Sequence, residues 1–301
     1  MDEAKETAAE ALGLSLISRG DKPRERGITM VMDQGWPIEF AAGMLDQYGA
    51  YLDIAKLWDP HLLQPAKAVR RKIEVYREYD VDVQPGGIFV EMAKAQGRGT
   101  EIIKRIADMG FTILEMSSTT SARGDMSEEL EQLALARELG LKVIGEVGRK
   151  FADGDTTRLT ADTLDIPATV HEFQSLLEGG AWKVYWEGHL LREVLGDDPE
   201  SIHTKAPTGT RQVLEVVAQV GAENIIFEAS GLRPRANRQW LQFWLVRLFG
   251  PHVNIGNGRI EELANMEALR SGTHPVFGFG SAGNYPAMRA LESGETDWWR
   301  S

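Results

Sequence analysis

The 301-residue sequence contains no cysteine. Disulfides, thiolate metal sites, iron–sulfur clusters and a cysteine nucleophile are therefore excluded. Basic residues are also scarce, because 33 Lys and Arg stand against 45 Asp and Glu, a formal net charge of −12. This charge argues against broad binding to nucleic acid or to an anionic membrane surface. We therefore expect any anionic ligand to be held by a few local groups.

Long apolar runs are absent as well. No stretch reaches the ~18 apolar residues that a membrane span needs, and the acidic start MDEAKETAAE lacks the features of a signal peptide. We therefore expect a cytoplasmic protein with no membrane partner. The 43% hydrophobic content is that of a folded chain rather than a disordered or fibrous one.

Short apolar runs rich in β-branched residues alternate with longer amphipathic stretches. The runs predict eight strands, at 27–32, 51–57, 81–84, 111–116, 142–147, 182–187, 224–228 and 253–256. The stretches predict eight helices, at 37–48, 66–79, 100–109, 127–139, 168–177, 208–220, 235–249 and 260–271. Eight strand–helix units with right-handed crossovers predict an α/β fold, the (β/α)₈ TIM barrel, with a doubly wound open sheet as the main alternative.

The domain organisation predicted from the sequence is simple, because no Pro/Gly/Ser-rich linker and no shift in composition divides the chain. We expect one barrel domain over residues 27–272. Residues 1–26 are expected to form an N-terminal extension, and residues 273–301 a tail that packs on the barrel or at a subunit interface.

Acidic residues stand at or near the ends of several predicted strands. Because the carboxyl ends of barrel strands and the loops after them form one face, these side chains are expected to lie together. Carboxylates are rare at buried strand positions, so a series of them is not explained by solvated surface. For individual members, the alternative is a buried network with lysines and arginines that holds the barrel together. The series comprises Asp33, Glu115, Glu146, Glu187 and Glu228.

Cationic side chains occur in the same zone. Lys56 lies on the second predicted strand, and Arg149 and Lys150 follow the fifth. Oxygen ligands without cysteine suit Mg²⁺ better than Zn²⁺, and the six histidines form no i, i+4 pair or spaced set. We therefore expect a Mg²⁺ site, although the spacing does not decide which carboxylates bind the metal.

Glycine-containing turns follow two of the predicted strands on this face. Gly86 and Gly87 follow the third strand, and Gly256, Asn257 and Gly258 follow the eighth. Glycines let backbone amides approach an anion closely, and barrels often hold a phosphate at the loops after strands seven and eight. Residues 256–259 are thus a candidate phosphate seat, although an ordinary tight turn would contain the same residues.

An ordered set of motifs at successive strand ends resembles the phosphosulfolactate synthase family over about residues 27–272. The motifs are KPRERGITMVMDQGWP at 22–37, DIAKLW at 53–58, QPGGIFVE at 84–91, ILEMS at 113–117, GEVGRK at 145–150, EG at 187–188 and IIFEAS at 225–230. The ordered set is more specific than any single motif.

The resemblance implies a (β/α)₈ barrel and a Mg²⁺-dependent addition of sulfite to phosphoenolpyruvate that gives (2R)-3-phosphosulfolactate, the first step of coenzyme M biosynthesis. It also implies a homo-oligomer, as a trimer. By the same resemblance Lys150 is the general acid and Lys56 an anion contact. The expected catalytic residues are Lys150, Lys56 and Glu146, and the expected metal ligands are Asp33, Glu115 and Glu187. The expected substrate-binding residues are Gly87, Arg149, His189, Arg192, Gly256, Asn257 and Gly258.

The sequence departs from the family pattern in loops expected to face the substrate. Glu187-Gly188-His189 stands where the family is expected to have arginine after Glu-Gly, and Arg192 lies one turn further on. The segments 56–60 and 117–120 also differ from the expected pattern. Two alternatives therefore stay open, a related lyase that adds a different nucleophile to phosphoenolpyruvate and a non-catalytic barrel similar to plant heat-stress proteins.

Overall fold

The computed structural model describes residues 7–117, 126–148, 151–152, 155–159, 164–188, 191, 195, 207–229 and 235–274. Eight parallel strands form the central sheet. They are β1 (Thr29–Asp33), β2 (Ile54–Leu57), β3 (Asp82–Pro85), β4 (Ile113–Met116), β5 (Lys142–Val147), β6 (Lys183–Trp186), β7 (Ile225–Glu228) and β8 (Asn254–Arg259).

The strands follow one another around a barrel in chain order. Hydrogen-bonded pairing runs from β3 through β2 and β1 to β8, and then through β7, β6 and β5 to β4. The remaining seam is bridged at Thr112, whose backbone N–H donates to the Val83 carbonyl at 2.9 Å and whose hydroxyl accepts from the Val83 N–H at 2.9 Å. The predicted (β/α)₈ barrel is confirmed. A doubly wound sheet is excluded, because its strand order would reverse at a switch point.

Helices surround the barrel. The described helices are α1 (Ala8–Ala11), α2 (Ile38–Tyr48), α3 (Ala66–Glu78), α4 (Gly87–Ala95), α5 (Gly99–Met109), α6 (Ser127–Glu138), α7 (Ile166–Glu178), α8 (Pro207–Val220), α9 (Arg235–Phe249) and α10 (Leu263–Ser271). An antiparallel hairpin of Phe151–Ala152 with Asp155–Leu159 follows β5. Among the described residues no helix is both long and apolar enough to cross a bilayer.

The predicted bounds of most strands and helices lie within two or three residues of the observed bounds. The exceptions have local causes. Tyr51, predicted as the start of the second strand, lies in the 3₁₀ turn Gly49–Tyr51. Residues 260–262, predicted as the start of a helix, form another 3₁₀ turn before α10. Helix α4 was not predicted, because its Gly-Gly start was interpreted as a turn. Gly110, the C-cap of α5, adopts left-handed backbone with φ of 96°.

Alternation along each strand separates two buried faces. One face points outward and packs under the helices, and Val31, Ala55 and Leu114 belong to this outer core. The other face fills the lower part of the lumen, the space inside the barrel. Its members are Ile28, Met30, Ile54, Ile113, Ile144, Tyr185 and Ile226. This apolar plug forms the floor on which the polar upper lumen rests.

Arginines close the amino-terminal end of the barrel. The buried Arg270 guanidinium donates to the carbonyls of Pro251 and Val253 at 2.5 and 2.7 Å. Arg19, from the segment before β1, forms ion pairs with Asp53 at 3.4 Å and with Glu267 at 2.6 Å. The segment around Arg19 is therefore joined to the barrel by buried charge pairs.

Candidate active site

The upper lumen contains polar side chains from at least five strands. Lys56 on β2 and Gln84 on β3 are register partners, and Glu115 on β4 lies two residues above the lumen residue Ile113. Tyr185 on β6 forms the floor, and Glu228 on β7 lies two residues above Ile226. We call Lys56, Gln84, Glu115, Tyr185 and Glu228 the lumen cluster. Each of these side chains is buried.

The Lys56 ammonium is the cation of this cluster. Its Nζ lies 2.7 Å from Glu115 Oε1 and 3.8 Å from Glu228 Oε1. It also lies over the ring of Tyr185, 5.4 Å from the centroid. Two carboxylates and an aromatic face therefore fix the position of the Lys56 ammonium in the lumen.

A chain of hydrogen bonds leads from Tyr185 to Lys56. The Tyr185 hydroxyl donates to Gln84 Oε1 at 2.8 Å, and Gln84 Nε2 donates to Glu115 Oε2. Glu115 Oε1 accepts from Lys56 at 2.7 Å. Burial, together with the charges of Glu115 and Glu228, raises the pKa of Tyr185 well above its ordinary value. The hydroxyl therefore stays protonated as a donor.

Gly87, predicted to bind substrate, is the first residue of α4 and lies against Glu115. Its backbone N–H donates to Glu115 Oε1 at 3.0 Å. A Cβ at this position would lie 2.8 Å from Ser117 Cβ and 2.9 Å from Glu115 Oε1. Only glycine lets the strand end and the helix start approach so closely.

Glu146 and Glu187 approach the same end of the lumen. Glu146 lies two residues above the lumen residue Ile144, and its charge contributes to the raised pKa of Tyr185. Glu187 lies two residues beyond Tyr185, and both carboxylates are buried. The structure therefore brings together four of the five carboxylates in the series.

Asp33 is the exception, because alternation turns it outward beneath the helices. Its Oδ2 accepts from the Tyr76 hydroxyl at 2.9 Å, and Lys72 Nζ lies 3.1 Å away. His61 Nε2 lies 3.4 Å from Asp33 Oδ1. We call Asp33, His61, Lys72 and Tyr76 the outer network. The structure does not place Asp33 with the other predicted metal ligands, because its side chain is on the helix side of β1.

The outer network orders the loop after β1. Asp33 Oδ1 accepts from the backbone N–H groups of Gly35 and Trp36 at 2.8 and 3.1 Å. Burial alone would raise the pKa of Asp33, but the hydrogen bond from His61, the charges of Lys72 and His61 and the Gly35 amide outweigh it. They hold that pKa at about 2. Asp33 is therefore an ionised structural anion near neutral pH.

The predicted phosphate seat is an irregular end of β8. Thr29 pairs with Ile255 while Val31 pairs with Gly258, so β8 accommodates an extra residue. Gly256 faces the lumen, since a Cβ there would meet Ile226, Met30 and Tyr185. Asn257 has φ of 54°, and its buried Oδ1 has no hydrogen-bond partner among the described residues. Gly258 faces outward toward Met266 of α10. These three residues therefore do not present one common surface.

Other predicted residues lie outside the described part of the chain. They are Arg149, Lys150, His189 and Arg192. Most of the predicted tail, residues 275–301, also lies outside it. Their roles remain predictions from the sequence.

The carboxylates fit a metal only in part. Among the described residues there is no group of three or more Asp, Glu or His side chains that could hold a metal ion. Glu115 is bonded by Lys56, Gln84 and Gly87, which leaves it poorly suited as a ligand. Mg²⁺, however, is commonly held by one or two carboxylates together with water and substrate oxygens, and Glu146 and Glu187 can supply such donors.

The sequence prediction missed two residues of the lumen cluster, Gln84 and Tyr185. The signal for Gln84 was present, because it is a polar residue at a strand end next to Lys56 in the predicted sheet. Tyr185 had no such signal, since a tyrosine within the run WKVYWE is typical of an apolar core.

Grooves elsewhere lie on the helix layer. One, of about 640 Å³, runs between α4, α5 and α6 and is lined by Lys94, Arg98 and Glu128 among others. A second, of about 210 Å³, is lined by Leu62 and Met92 among others. Neither is lined by a residue of the lumen cluster.

Comparison with known proteins places these observations in a family. The model of the (2R)-phospho-3-sulfolactate synthase (ComA) family matches residues 18–275. The chain is 30% identical over 252 residues to the phosphosulfolactate synthase of Methanocaldococcus jannaschii, covering 82% of this chain and 92% of that protein. It is 28% identical over 255 residues to the phosphosulfolactate synthase of Methanothermobacter thermautotrophicus, covering 84% and 92%.

Solved structures share the architecture at lower identity. One from Coccidioides immitis, provisionally named a fructose-1,6-biphosphate aldolase, has a TM-score of 0.52 and 14% identity. The match covers 82% of this chain and 89% of that one. At this identity the likeness concerns the barrel fold alone.

Proposed function

Because the chain belongs to the (2R)-phospho-3-sulfolactate synthase family, we propose that it adds sulfite to phosphoenolpyruvate and releases (2R)-phospho-3-sulfolactate. In this role it is a lyase acting on a carbon–sulfur bond, and its product enters coenzyme M biosynthesis. The observation that carries the proposal is the lumen cluster, which holds a charged lysine at the carboxyl end of the barrel.

The proposed reaction needs no protein nucleophile, because sulfite is itself nucleophilic. Its sulfur forms a bond to the methylene carbon of phosphoenolpyruvate, and the electron pair of the carbon–carbon double bond moves into the carboxylate. A proton then bonds to the carbon that bears the phosphate, and the carboxylate is restored. The phosphate ester stays intact. The lack of cysteine is no obstacle to this sequence of steps.

Lys56 is proposed to bind an anionic group of the substrate. Its ammonium is fixed by Glu115 and Glu228 and lies over Tyr185. A cation that is already oriented costs little reorganisation when negative charge builds up nearby. Glu115 is then a counter-ion for Lys56 rather than a metal ligand. This assignment differs from the expectation drawn from the resemblance, because both oxygens of Glu115 accept hydrogen bonds.

Lys150 is proposed as the acid that protonates the carbon bearing the phosphate. The assignment rests on the GEVGRK motif, in which Lys150 follows Glu146 by four residues. Removing a general acid typically lowers turnover by about 10²–10⁴-fold. We expect Lys150→Ala to lower kcat at least about 100-fold with little change in the free energy of unfolding. An unchanged kcat would remove Lys150 from the mechanism.

Mg²⁺ is proposed as the cofactor, with Glu146 and Glu187 as the residues that would hold it. When bound, it would stabilise negative charge on the substrate carboxylate. Electrostatics supports this proposal, because the lumen carboxylates Glu115, Glu146, Glu187 and Glu228 outnumber the one lysine of the cluster. An anionic substrate needs further positive charge there. A homo-oligomer, a trimer by the resemblance, is proposed as well.

The test is to incubate the purified protein with phosphoenolpyruvate, sulfite and Mg²⁺ and to analyse the products by mass spectrometry. Phosphosulfolactate that retains the phosphate, and that disappears with EDTA and returns with added Mg²⁺, is the expected result. Product formation that continues in the presence of EDTA would contradict the proposal of a metal cofactor but not the proposed reaction. Absence of product from folded protein would contradict the proposed function and favour a different nucleophile.

A further inference from the structure

We propose that Gln84 and Tyr185 are positioning residues that act in series, through Glu115, to fix the Lys56 ammonium for an anionic group of phosphoenolpyruvate. The inference rests on the proposed function, and nothing in the family comparison assigns a role to either residue. It arises from three contacts deep in the lumen, each between side chains of different strands.

The hydrogen-bond chain has a single direction. Tyr185 can donate one proton, and the structure directs it to Gln84 Oε1 at 2.8 Å. That contact identifies the oxygen end of the Gln84 amide and turns its NH₂ toward Glu115 Oε2. Glu115 then presents Oε1 to Lys56 at 2.7 Å. Each residue fixes the orientation of the next, so the order of action runs from Tyr185 to Lys56.

The position of these residues indicates a role in binding rather than in packing alone. Gln84 is fully buried, and its amide joins two polar side chains where an apolar residue could simply fill the volume. Without Gln84, Glu115 Oε2 would lose this donor, and the carboxylate could rotate away from Lys56. Without the Tyr185 hydroxyl, the Gln84 amide would lose the contact that sets its orientation.

The experiment is a double-mutant cycle that uses Tyr185→Phe, Gln84→Met and the combined variant. Phenylalanine keeps the ring under Lys56 and removes only the hydroxyl, and methionine keeps the length of glutamine without its hydrogen bonds. The dissociation constant for phosphoenolpyruvate is measured by calorimetry without sulfite. KM and kcat for phosphosulfolactate formation are measured separately.

We expect Tyr185→Phe to raise Kd and KM about 3- to 10-fold, the usual effect of one hydrogen bond. Gln84→Met is expected to raise them by at least as much. Because the two residues act in series, the combined variant should match Gln84→Met rather than multiply the two effects. Multiplied effects, or an unchanged Kd in either single variant, would overturn the proposal.

Tyr76→Phe is the matched control. Tyr76 is also a buried tyrosine whose hydroxyl donates to a side-chain oxygen, that of Asp33, at 2.9 Å, but it lies in the outer network. The Tyr76→Phe variant should lower the midpoint of thermal unfolding about as much as Tyr185→Phe does and leave the Kd for phosphoenolpyruvate unchanged. Equal rises in Kd for both variants would indicate a general loss of structure and would contradict positioning.

The calorimetry separates this proposal from the proposed function. If the wild-type protein binds phosphoenolpyruvate but forms no phosphosulfolactate, the proposed function fails, while the cycle on Kd still decides the roles of Gln84 and Tyr185. If folded wild-type protein does not bind phosphoenolpyruvate, the positioning proposal is overturned as well.

Discussion

The lumen cluster and the outer network are built from nearly the same side chains on opposite faces of one barrel wall. Each contains a buried lysine, a carboxylate and a tyrosine hydroxyl: Lys56, Glu115 and Tyr185 inside, and Lys72, Asp33 and Tyr76 outside. The lysine–carboxylate distances are 2.7 Å inside and 3.1 Å outside. What distinguishes the two groups is therefore their surroundings rather than their chemistry.

Because their surroundings differ, the outer network and the lumen cluster have different roles. The outer network lies between β1, α3 and the turn after β2, and Lys72 also donates to the Trp36 carbonyl at 2.6 Å. Its hydrogen bonds join loops to helix. The lumen cluster instead lies above the apolar plug at the carboxyl end of the strands, where barrel enzymes bind substrates. Similar polar groups can thus hold a fold together on one face and form a candidate site on the other.

The largest expected contrast comes from removing each lysine. Lys56→Met should lower kcat/KM for phosphoenolpyruvate about 100-fold, because an anion contact is lost and two carboxylates then face an anionic substrate. Lys72→Met should leave kcat/KM within about 3-fold, yet lower the free energy of unfolding by about 3–5 kcal/mol, because it removes the buried ammonium that pairs with Asp33. Steady-state kinetics and urea unfolding at low temperature measure the two effects. A 100-fold loss of kcat/KM for Lys72→Met in folded protein would contradict the distinction between the lumen cluster and the outer network.

A smaller contrast is expected when a methyl group is added on the lumen side or on the helix side of the barrel wall. Gly87→Ala places Cβ 2.9 Å from Glu115 Oε1, and should displace the carboxylate and raise KM for phosphoenolpyruvate. Gly145→Ala places Cβ 2.7 Å from Leu176 Cδ1 under α7, and should cost about 1–3 kcal/mol of stability with KM unchanged. Kinetics with thermal unfolding of both variants tests this pair. Equal KM values for Gly87→Ala and wild type would argue against a precise position for Glu115.

The smallest expected effect is the pH dependence from Asp33. Its folded-state pKa of about 2 lies below the ordinary value of 3.8. The unfolded chain therefore binds the proton more readily, and the stabilisation is present above pH ~4 and is lost as the pH falls toward ~2. The full contribution is about 2 kcal/mol. Asp33→Asn should flatten the plot of unfolding free energy against pH in this interval.

The control for that measurement is Asp46→Asn. Asp46 lies in an exposed position outside the outer network, where it accepts a hydrogen bond from Tyr79. An unchanged slope for Asp33→Asn would indicate that Asp33 is not held ionised by the outer network.

Much of the fold followed from pattern alone. The strand β5 was predicted with its observed bounds, and helix α9 likewise, because apolar periodicity and glycine endings mark both clearly. Helix α4 was not predicted, since a helix that starts with glycine beside a Pro-Gly pair has the local signature of a turn. Its position depends on the close approach of Gly87 to Glu115, which joins residues 28 positions apart.

For the site, the sequence by itself determined which chemical groups are present: carboxylates at the strand ends, Lys56 beside them, no thiol, and motifs ordered as in one family. It could not determine which way Asp33 points, because the side chains of a strand alternate and one residue of register reverses inside and outside. Only the closed barrel placed Asp33 under α3 and Glu115 in the lumen. Only the closed barrel, too, brought Tyr185 and Gln84, 101 residues apart, within hydrogen-bond distance.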